Sequence, residues 1–381
     1  MSLDSVTKMN KTSRVLFVSA EASGDYHAAD VARVLKTRHK DLEVDALGGV
    51  ALEQAGAHLL AHVSSLSVMG FSEVLRALPR ILRVRGQIKK AIATNNYACA
   101  VLIDGPDFNF GLFKTLKKAS VPIVYYIPPK LWASRARRLK KLRKYANVIC
   151  AIFPFEQEWY TRRDCETVYV GHPVAEQIER YLRSQRDNSK KSVKETVALL
   201  PGSRTHEIHR LLPYFVTLVR KIRSEKQHID FVLPKAPTVD EKLLAPLKEL
   251  GVQVTTGGTL EALKNARAAV VASGTATLET ALMQVPQVVI YRVGWLTSVL
   301  FHLLVKLKFV SPVNIILDKP AVPELLQSQL THDALYDEVA SLLREGDSRR
   351  GQIADCGHLR TMLAGEGASE AVARIVGQHL K

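Results

Sequence analysis

The chain has 381 residues, of which 47% are hydrophobic and 24% charged, so it can bury large cores and is expected to form two domains of ordinary size. Its net charge of +16 and pI near 9.7 favour an anionic partner, whether a membrane surface, a nucleic acid or a multiply charged substrate. No apolar run reaches the length of a membrane span and none precedes the first predicted strand, so a spanning helix and a secretory signal are not expected, and the protein should stay in the cytoplasm.

Short apolar runs alternate with helical patterns through the first half of the chain, which predicts a parallel βα sheet. A strand at 14–19 leads into the small turn at 20–25, and a nearly uninterrupted apolar strand at 98–103 leads into Asp104 and Asp107. Because open α/β sheets react at the carboxyl ends of their strands, carboxylates there suit a general base acting on a sugar hydroxyl. One of the two acids, for which Asp107 is the candidate, is expected to cap a helix instead.

Two basic stretches supply much of the positive charge of this half. The helical pattern at 66–92 sets Val74, Leu78 and Ile81 opposite its arginines and lysines. Such a helix either lies on an anionic bilayer or packs its apolar face on the core and leaves a basic face in water. The cluster at 135–144 contains no interleaved aromatic residues, so it is either a phosphate or lipid headgroup surface or a solvated helix face.

The charged stretch at 176–195 is poor in apolar residues and marks the predicted boundary between a domain at 1–185 and a domain at 186–381. Beyond it the βα pattern resumes, with strands predicted at 196–200, 231–234 and 252–255. The predicted fold class is therefore α/β, with two doubly wound, Rossmann-like domains. The cleft between two such domains is a natural place for a donor and an acceptor to meet.

The stretch at 270–282 reads as a strand, a tight turn and a helix. Ser273 and Thr275 are N-cap residue types, and Gly274 lets a ligand approach the first helical turn, whose unpaired N–H groups favour an anion. Glu279 follows about one turn later, where its carboxylate suits two neighbouring ribose hydroxyls. A pyrophosphate on the turn and a ribose on Glu279 would describe a nucleoside diphosphate, while an ordinary connection with a capping serine explains the same pattern.

Short motifs recur in one order along the chain: AEASGD at 20–25, DGPDFN at 104–109, PFE at 154–156, GHP at 171–173, LPGSR at 200–204, ASGTATLE at 272–279, YR at 291–292 and VPELLQ at 322–327. Together they resemble the lipid-A-disaccharide synthase family, from about residue 15 to the C-terminal helix. The resemblance implies a GT-B glycosyltransferase that joins UDP-2,3-diacylglucosamine to 2,3-diacylglucosamine 1-phosphate in a β-1,6 link, with inversion and without a metal.

At the matching positions, the resemblance implies a catalytic set of Asp104 as the base, Arg204 as a phosphate ligand, and Asn314. It also implies a set of residues that bind the UDP moiety, with Glu279 on the ribose: Ser203, Arg204, Ser273, Gly274, Thr275 and Glu279. No cofactor is implied, because the UDP-sugar is a substrate. The four cysteines form no CxxC pair and give no sign of a zinc site or a disulfide framework.

The chain departs from the family pattern at Ala20, Gly105, Pro128, Ser134 and Val313, where the family usually has Gly, Ala, Ser, Trp and Pro. The loop at 128–134 is the most altered. Differences from the family are therefore expected in acceptor binding more than in donor binding.

The partners implied are the two acylated substrates and an anionic inner-membrane surface, with attachment to its cytoplasmic face, a homodimer as an option and no nucleic acid. The segment at 295–309 is too short to span a bilayer but fits an interface or a contact between subunits. Two other classes stay open. One is another UDP-sugar enzyme of this architecture, either an epimerase or a transferase with a soluble acceptor; the other is a non-catalytic nucleotide or nucleic-acid binder.

Overall fold

The computed structural model describes residues 13–66, 71–132, 138–185, 195–225, 228–293 and 308–380. Several sequence predictions fall outside these ranges: most of the apolar segment at 295–309, Ser134 and the first part of the basic cluster, and residues 186–194 of the charged stretch. The side chain of Val74 is likewise outside the description.

The first unit is built on a seven-stranded parallel sheet in the order β3-β2-β1-β4-β5-β6-β7. Its strands are β1 (Arg14–Ser19), β2 (Glu43–Gly48), β3 (His58–His62), β4 (Cys99–Ile103), β5 (Ile123–Tyr126), β6 (Val148–Ala151) and β7 (Thr167–Tyr169). Its helices are α1 (Ala22–Arg38), α2 (Val50–Gln54), α3 (Phe71–Thr94), α4 (Pro106–Asn109), α5 (Phe113–Lys118), α6 (Leu139–Tyr145), α7 (Pro154–Thr161) and the C-terminal α16 (Ala368–Gly377).

The second unit is built on a six-stranded parallel sheet in the order β10-β9-β8-β11-β12-β13. Its strands are β8 (Thr196–Leu200), β9 (Asp230–Lys235), β10 (Gln253–Thr256), β11 (Ala266–Ala272), β12 (Gln287–Tyr291) and β13 (Glu324–Leu326). Its helices are α8 (Pro173–Ser184), α9 (Thr205–Glu225), α10 (Ala245–Glu249), α11 (Thr259–Lys264), α12 (Thr275–Leu282), α13 (Pro312–Leu317), α14 (His332–Leu343) and α15 (Asp347–Leu363).

The two units comprise Met1–Pro173 with Gly365–Lys381, and Val174–Ala364. This division differs from the boundary expected between residues 185 and 186. Helix α8 belongs to the second unit because Arg360 of α15 donates to Glu179 at 2.8 and 2.6 Å. The last helix belongs to the first unit because α16 packs on α1.

The predicted α/β class, with two doubly wound parallel sheets, is confirmed. The strand order of the first sheet reverses between β1 and β4, which pair directly, and that of the second reverses between β8 and β11. At such a point the loops after the two strands leave on opposite faces and open a crevice at the carboxyl edge. The motifs at 20–25 and 104–109 flank the first crevice, and those at 200–204 and 272–279 flank the second.

The core of the first unit holds its crevice in place. All five residues of β4 are fully buried, and one face of the sheet is covered by side chains of α3, α5 and α6 that pack on β1, β4 and β5. Because every residue of β4 is buried, both faces of the strand are covered, which explains why it reads as an uninterrupted apolar run. None of the helices within the described ranges is long and apolar enough to cross a bilayer.

Candidate active site

Asp104 is the first residue after β4 and has a left-handed backbone, with φ of +44°. Such a conformation costs a residue other than glycine about 1–3 kcal/mol and must be held by its surroundings. Here the Asp104 N–H donates to Tyr126 O at 3.0 Å, and the Asp104 carbonyl accepts from Tyr125 Oη at 2.8 Å and Asn109 Nδ2 at 2.7 Å. The backbone is thus fixed on three sides, and the carboxylate is not needed to hold it.

Burial raises the pKa of the Asp104 carboxyl group, and the Gly105 N–H and the Lys130 ammonium oppose that shift. A half-buried carboxylate with a raised pKa is a stronger base than an exposed one. Lys130 was not singled out from the sequence. Its only signal there was a position after two prolines, in the loop that departs most from the family pattern.

Asp107 lies in the first turn of α4 but does not cap it, because the N-cap position is Gly105 and no side chain bonds to that end. The prediction that Asp107 is a helix cap is therefore wrong. Its exposed carboxylate pairs instead with Arg138, with 2.5 Å between Oδ1 and Nη2.

The second crevice begins with the loop after β8. Gly202 has φ of +93°, and a Cβ there would lie 3.3 Å from Glu207 Oε2 and 3.7 Å from the Ala272 side chain, so the loop passes close to the end of β11. Ser203 is exposed. The Arg204 side chain is 67% exposed, and its Nη1 donates to Glu207 Oε1 at 2.9 Å. A single exposed ion pair is weak, so the guanidinium can turn towards an anion at little cost.

Helix α12 begins at Thr275 after Gly274, and no side chain caps it. The capping roles considered for Ser273 and Thr275 are therefore wrong. The Ser273 N–H is used by the sheet, where it donates to Ile290 O at 3.0 Å, and Gly274 and Thr275 are exposed. The uncapped first turn of α12 thus leaves backbone donors accessible to an anion at the carboxyl edge of β11.

Glu279 lies one turn into α12. Burial raises the pKa of its carboxyl group, and it accepts no hydrogen bond from any other residue that the structure describes. A half-buried carboxylate without a donor is costly unless a ligand supplies one.

Asn314 is buried in α13, and its side-chain amide is engaged within the protein. Its Nδ2 donates to Val322 O at 2.9 Å and Glu324 Oε1 at 2.8 Å, and its Oδ1 accepts from Val322 N at 2.9 Å. The Glu324 carboxylate also accepts from the N–H groups of Val310 and Ser311 at 3.0 and 2.8 Å. Asn314 and Glu324 therefore hold together the loops that flank α13 and β13.

Solved structures with the same fold include MurG of Acinetobacter baumannii, with a TM-score of 0.61 and 13% identity over 96% of this chain and 99% of that one. A UDP-GlcNAc 2-epimerase of Neisseria meningitidis bound to UDP-GlcNAc has a TM-score of 0.62 and 10% identity over 96% and 99%. The two Rossmann-like sheets thus define the GT-B class of glycosyltransferase folds. Since both transferases and epimerases match, the fold alone does not fix the reaction.

The sequence comparison is narrower. The model of the lipid-A-disaccharide synthetase family matches residues 15–375. The lipid-A-disaccharide synthase of Myxococcus xanthus is 38% identical over 376 residues, which are 97% of this chain and 98% of that protein. The chain belongs to the lipid-A-disaccharide synthase family.

Proposed function

We propose that the protein joins UDP-2,3-diacylglucosamine to 2,3-diacylglucosamine 1-phosphate and releases UDP, forming a β-1,6-linked disaccharide with inversion. The observation that carries the proposal is the family match over residues 15–375, with the family motifs at both sheet crevices. Membership of this family favours the transferase over an epimerase of the same fold, and over a nucleotide or nucleic-acid binder.

The UDP moiety of the donor binds at the second crevice. Its diphosphate lies on the uncapped first turn of α12, at Ser273, Gly274 and Thr275, and against Ser203 and the Arg204 guanidinium. Glu279 takes the ribose, whose hydroxyls supply the donors that its carboxylate lacks. As the glycosidic bond to UDP breaks, negative charge grows on the diphosphate, and a guanidinium with helix-end amides stabilises that charge without a metal ion.

Asp104 acts as the base on the acceptor hydroxyl at the first crevice. Its carboxylate removes the proton while the hydroxyl oxygen attacks the anomeric carbon of the donor. Asn314 acts by positioning, since its amide already bonds to Val322 and Glu324, and the part it plays in catalysis runs through the loops that it joins.

The acyl chains of both substrates stay in lipid, and the protein works at the inner face of the cytoplasmic membrane. The outer face of α3 supports this placement: Leu78 and Leu82 are 46% and 53% exposed, beside exposed arginines at positions 80 and 83. Apolar side chains flanked by cations suit the surface of an anionic bilayer. A homodimer remains a prediction from the sequence.

The test is UDP release with each diacylated substrate alone and with both together. Release only with both, and a β-linked product, would support the proposal; release with the donor alone would favour an epimerase or hydrolase.

Arg204→Ala should lower turnover at least a hundredfold, which corresponds to a loss of about 2.7 kcal/mol of transition-state stabilisation. Arg220→Ala, which removes an exposed arginine further along α9, is the matched control.

A further inference from the structure

A cavity of about 220 Å³ opens within the first unit beside Asp104. It is bounded by the loop after β1, by α3 and by the start of α4. Its lining residues are Ala20, Glu21, Leu66, Ile81, Arg85, Gly105, Pro106, Asp107 and Phe108. Gly105, the residue after Asp104, is part of this lining, so the cavity borders the loop that carries the proposed base.

Arg85 is the cation in the wall of this cavity. Its Nη2 donates to the backbone carbonyl of Asp107 at 3.0 Å, and its Cζ lies 5.0 Å from the centre of the Phe108 ring. Its Nε is buried and has no hydrogen-bond partner within the part of the chain that the structure describes. Buried donors are rarely left unpaired in proteins, so this one points to a missing acceptor.

The position of the guanidinium depends on a glycine. A Cβ at Gly111 would lie 2.8 Å from Arg85 Cζ, so the arginine fits only because residue 111 has no side chain. The Asp107 carboxylate forms an ion pair with Arg138 and none with Arg85. The guanidinium is thus held by a carbonyl and an aromatic ring, and its charge has no carboxylate partner among the described residues.

The rest of the cavity wall has apolar side chains and, at the rim, a carboxylate. Leu66 and Phe108 are buried, and Ile81 is half-buried, so they shield the guanidinium from water and strengthen its attraction to an anion. Glu21 is exposed at the rim, where its carboxylate suits the hydroxyls of a sugar better than an anion.

We propose that this cavity receives the phosphate-bearing end of the acceptor, with Arg85 as the phosphate ligand. The inference rests on the proposed function, and it adds a specificity-determining residue to it. Guanidinium groups bind phosphate oxygens through two N–H groups at once, and here Nε is the unpaired donor. An acceptor held in this way would present its free hydroxyl to Asp104 only when it carries a phosphate.

The test compares 2,3-diacylglucosamine with and without its 1-phosphate as acceptor, in mixed micelles with the same donor. The wild-type enzyme should prefer the phosphorylated acceptor by roughly tenfold or more in kcat/KM, as expected for charge-assisted hydrogen bonds. Arg85→Gln should remove most of that preference by raising the KM of the phosphorylated acceptor, without changing the affinity for UDP. Arg85→Lys should keep part of the preference, because the charge remains.

A second variant probes the same site with Arg85 intact. Gly111→Ala should displace the guanidinium and reduce the preference, while Arg33→Gln, which removes an exposed arginine of α1, should leave it unchanged. A full phosphate preference in folded Arg85→Gln or Gly111→Ala enzyme would overturn the inference and leave the proposed function standing. No product from the wild-type enzyme with either acceptor would overturn both.

Discussion

Ala20 and Gly105 meet at the first crevice, where a Cβ built on Gly105 would lie 2.7 Å from the Ala20 Cβ. Both positions depart from the family pattern, and they do so in opposite senses, because the family usually has Gly at the first and Ala at the second. The space beside Asp104 thus has room for one methyl group. In this chain residue 20 supplies it, whereas in the family residue 105 usually does. The resemblance to the family therefore implies that the two departures compensate each other.

Gly105→Ala alone should destabilise the first unit by about 1–3 kcal/mol, because its methyl group overlaps that of Ala20 and its left-handed φ of +45° disfavours a side chain. The double variant Ala20→Gly/Gly105→Ala should recover the part of the loss that comes from the overlap, but not the part that comes from the left-handed φ. Urea unfolding of the two single variants and the double variant measures the coupling. Additive losses would mean that the two methyl positions do not compensate each other.

Asp104→Asn should slow the chemical step by about 10²–10⁴-fold and leave UDP binding intact, because it keeps the shape of the side chain but removes the base. Asp107→Asn should cost less, since the carboxylate of Asp107 is exposed and its ion pair with Arg138 is weak. Single-turnover rates and UDP calorimetry on both variants check this. A slow Asp107→Asn enzyme beside a normal Asp104→Asn enzyme would exchange the two roles.

The same carboxylate predicts a pH dependence. Burial raises the pKa of Asp104, and only its ionised form accepts a proton, so the rate should rise with pH through a pKa above the ordinary value for aspartate. In Asp104→Asn enzyme the residual rate should no longer show this rise with pH. If the residual rate still rises with pH in the same way, another group is responsible for the pH dependence.

For single residues, the sequence predicted the position of a residue in the fold better than the contacts of its side chain. The placement of Asp104 and Arg204 after strands followed from the pattern, because a strand end is a local property. The surroundings of Arg85, Lys130 and Asn314 depend on residues far along the chain, as when Asn314 bonds to Glu324. No local pattern carries that information.

The sequence left two interpretations of α3 open, a helix on a bilayer and a helix packed on the core, and in the structure some of its apolar side chains are buried and others exposed. Val84 and Ile88 are buried in the core, and Ile81 packs partly against it, whereas Leu78 and Leu82 are exposed. Leu78, one of the candidates for lipid contact, faces water, and its contact with lipid stays a prediction. Ile81, another candidate, instead shares the core-facing stripe with Val84 and Ile88, three and seven residues further on.

Leu78→Ser/Leu82→Ser should weaken binding to anionic vesicles without lowering the thermal midpoint, since both side chains already face water. Val84→Ser, on the same helix, should lower the midpoint by creating a buried polar site. Vesicle sedimentation at increasing salt, with thermal melts alongside, separates the two effects. Equal vesicle binding by wild type and the double leucine variant would remove α3 from the membrane contact.

The buried strands were easier to predict from the sequence than the exposed ones. The central strands were predicted nearly to their ends, whereas β3 at the sheet edge was missed. Its residues are exposed or half-buried, and its apolar run is only the three residues at 59–61. Its pairing with β2 makes it a strand, and pairing depends on tertiary structure.

On the scale of the whole molecule, the chain leaves the first unit at Pro173 and returns to it at Gly365. Helix α16 then buries Ala371, Val372 and Val376, and its Glu370 pairs with Arg38 of α1. The boundary predicted from composition missed this return, because a linker can be recognised by its polarity but an amphipathic last helix does not reveal which unit it covers.

A chain truncated after Ala364 should therefore lose stability in the first unit and keep it in the second, because the truncation exposes the apolar face of α1 that α16 covers. Calorimetric melting with and without UDP should show an early transition that UDP does not shift and a later one that it does. A single unchanged transition would mean that α16 contributes nothing to folding. Truncation after Gly377, which keeps α16 whole, is the control.

The return of the last helix also constrains how the protein is made. Residues 174–364 leave the ribosome as one continuous stretch and can fold while synthesis continues, but the first unit stays incomplete until residues 365–381, which include α16, have been synthesised. The half of the molecule synthesised first is thus the half completed last. During that interval the apolar side of α1 is uncovered, and the N-terminal half of the nascent chain is the part most accessible to chaperones and proteases.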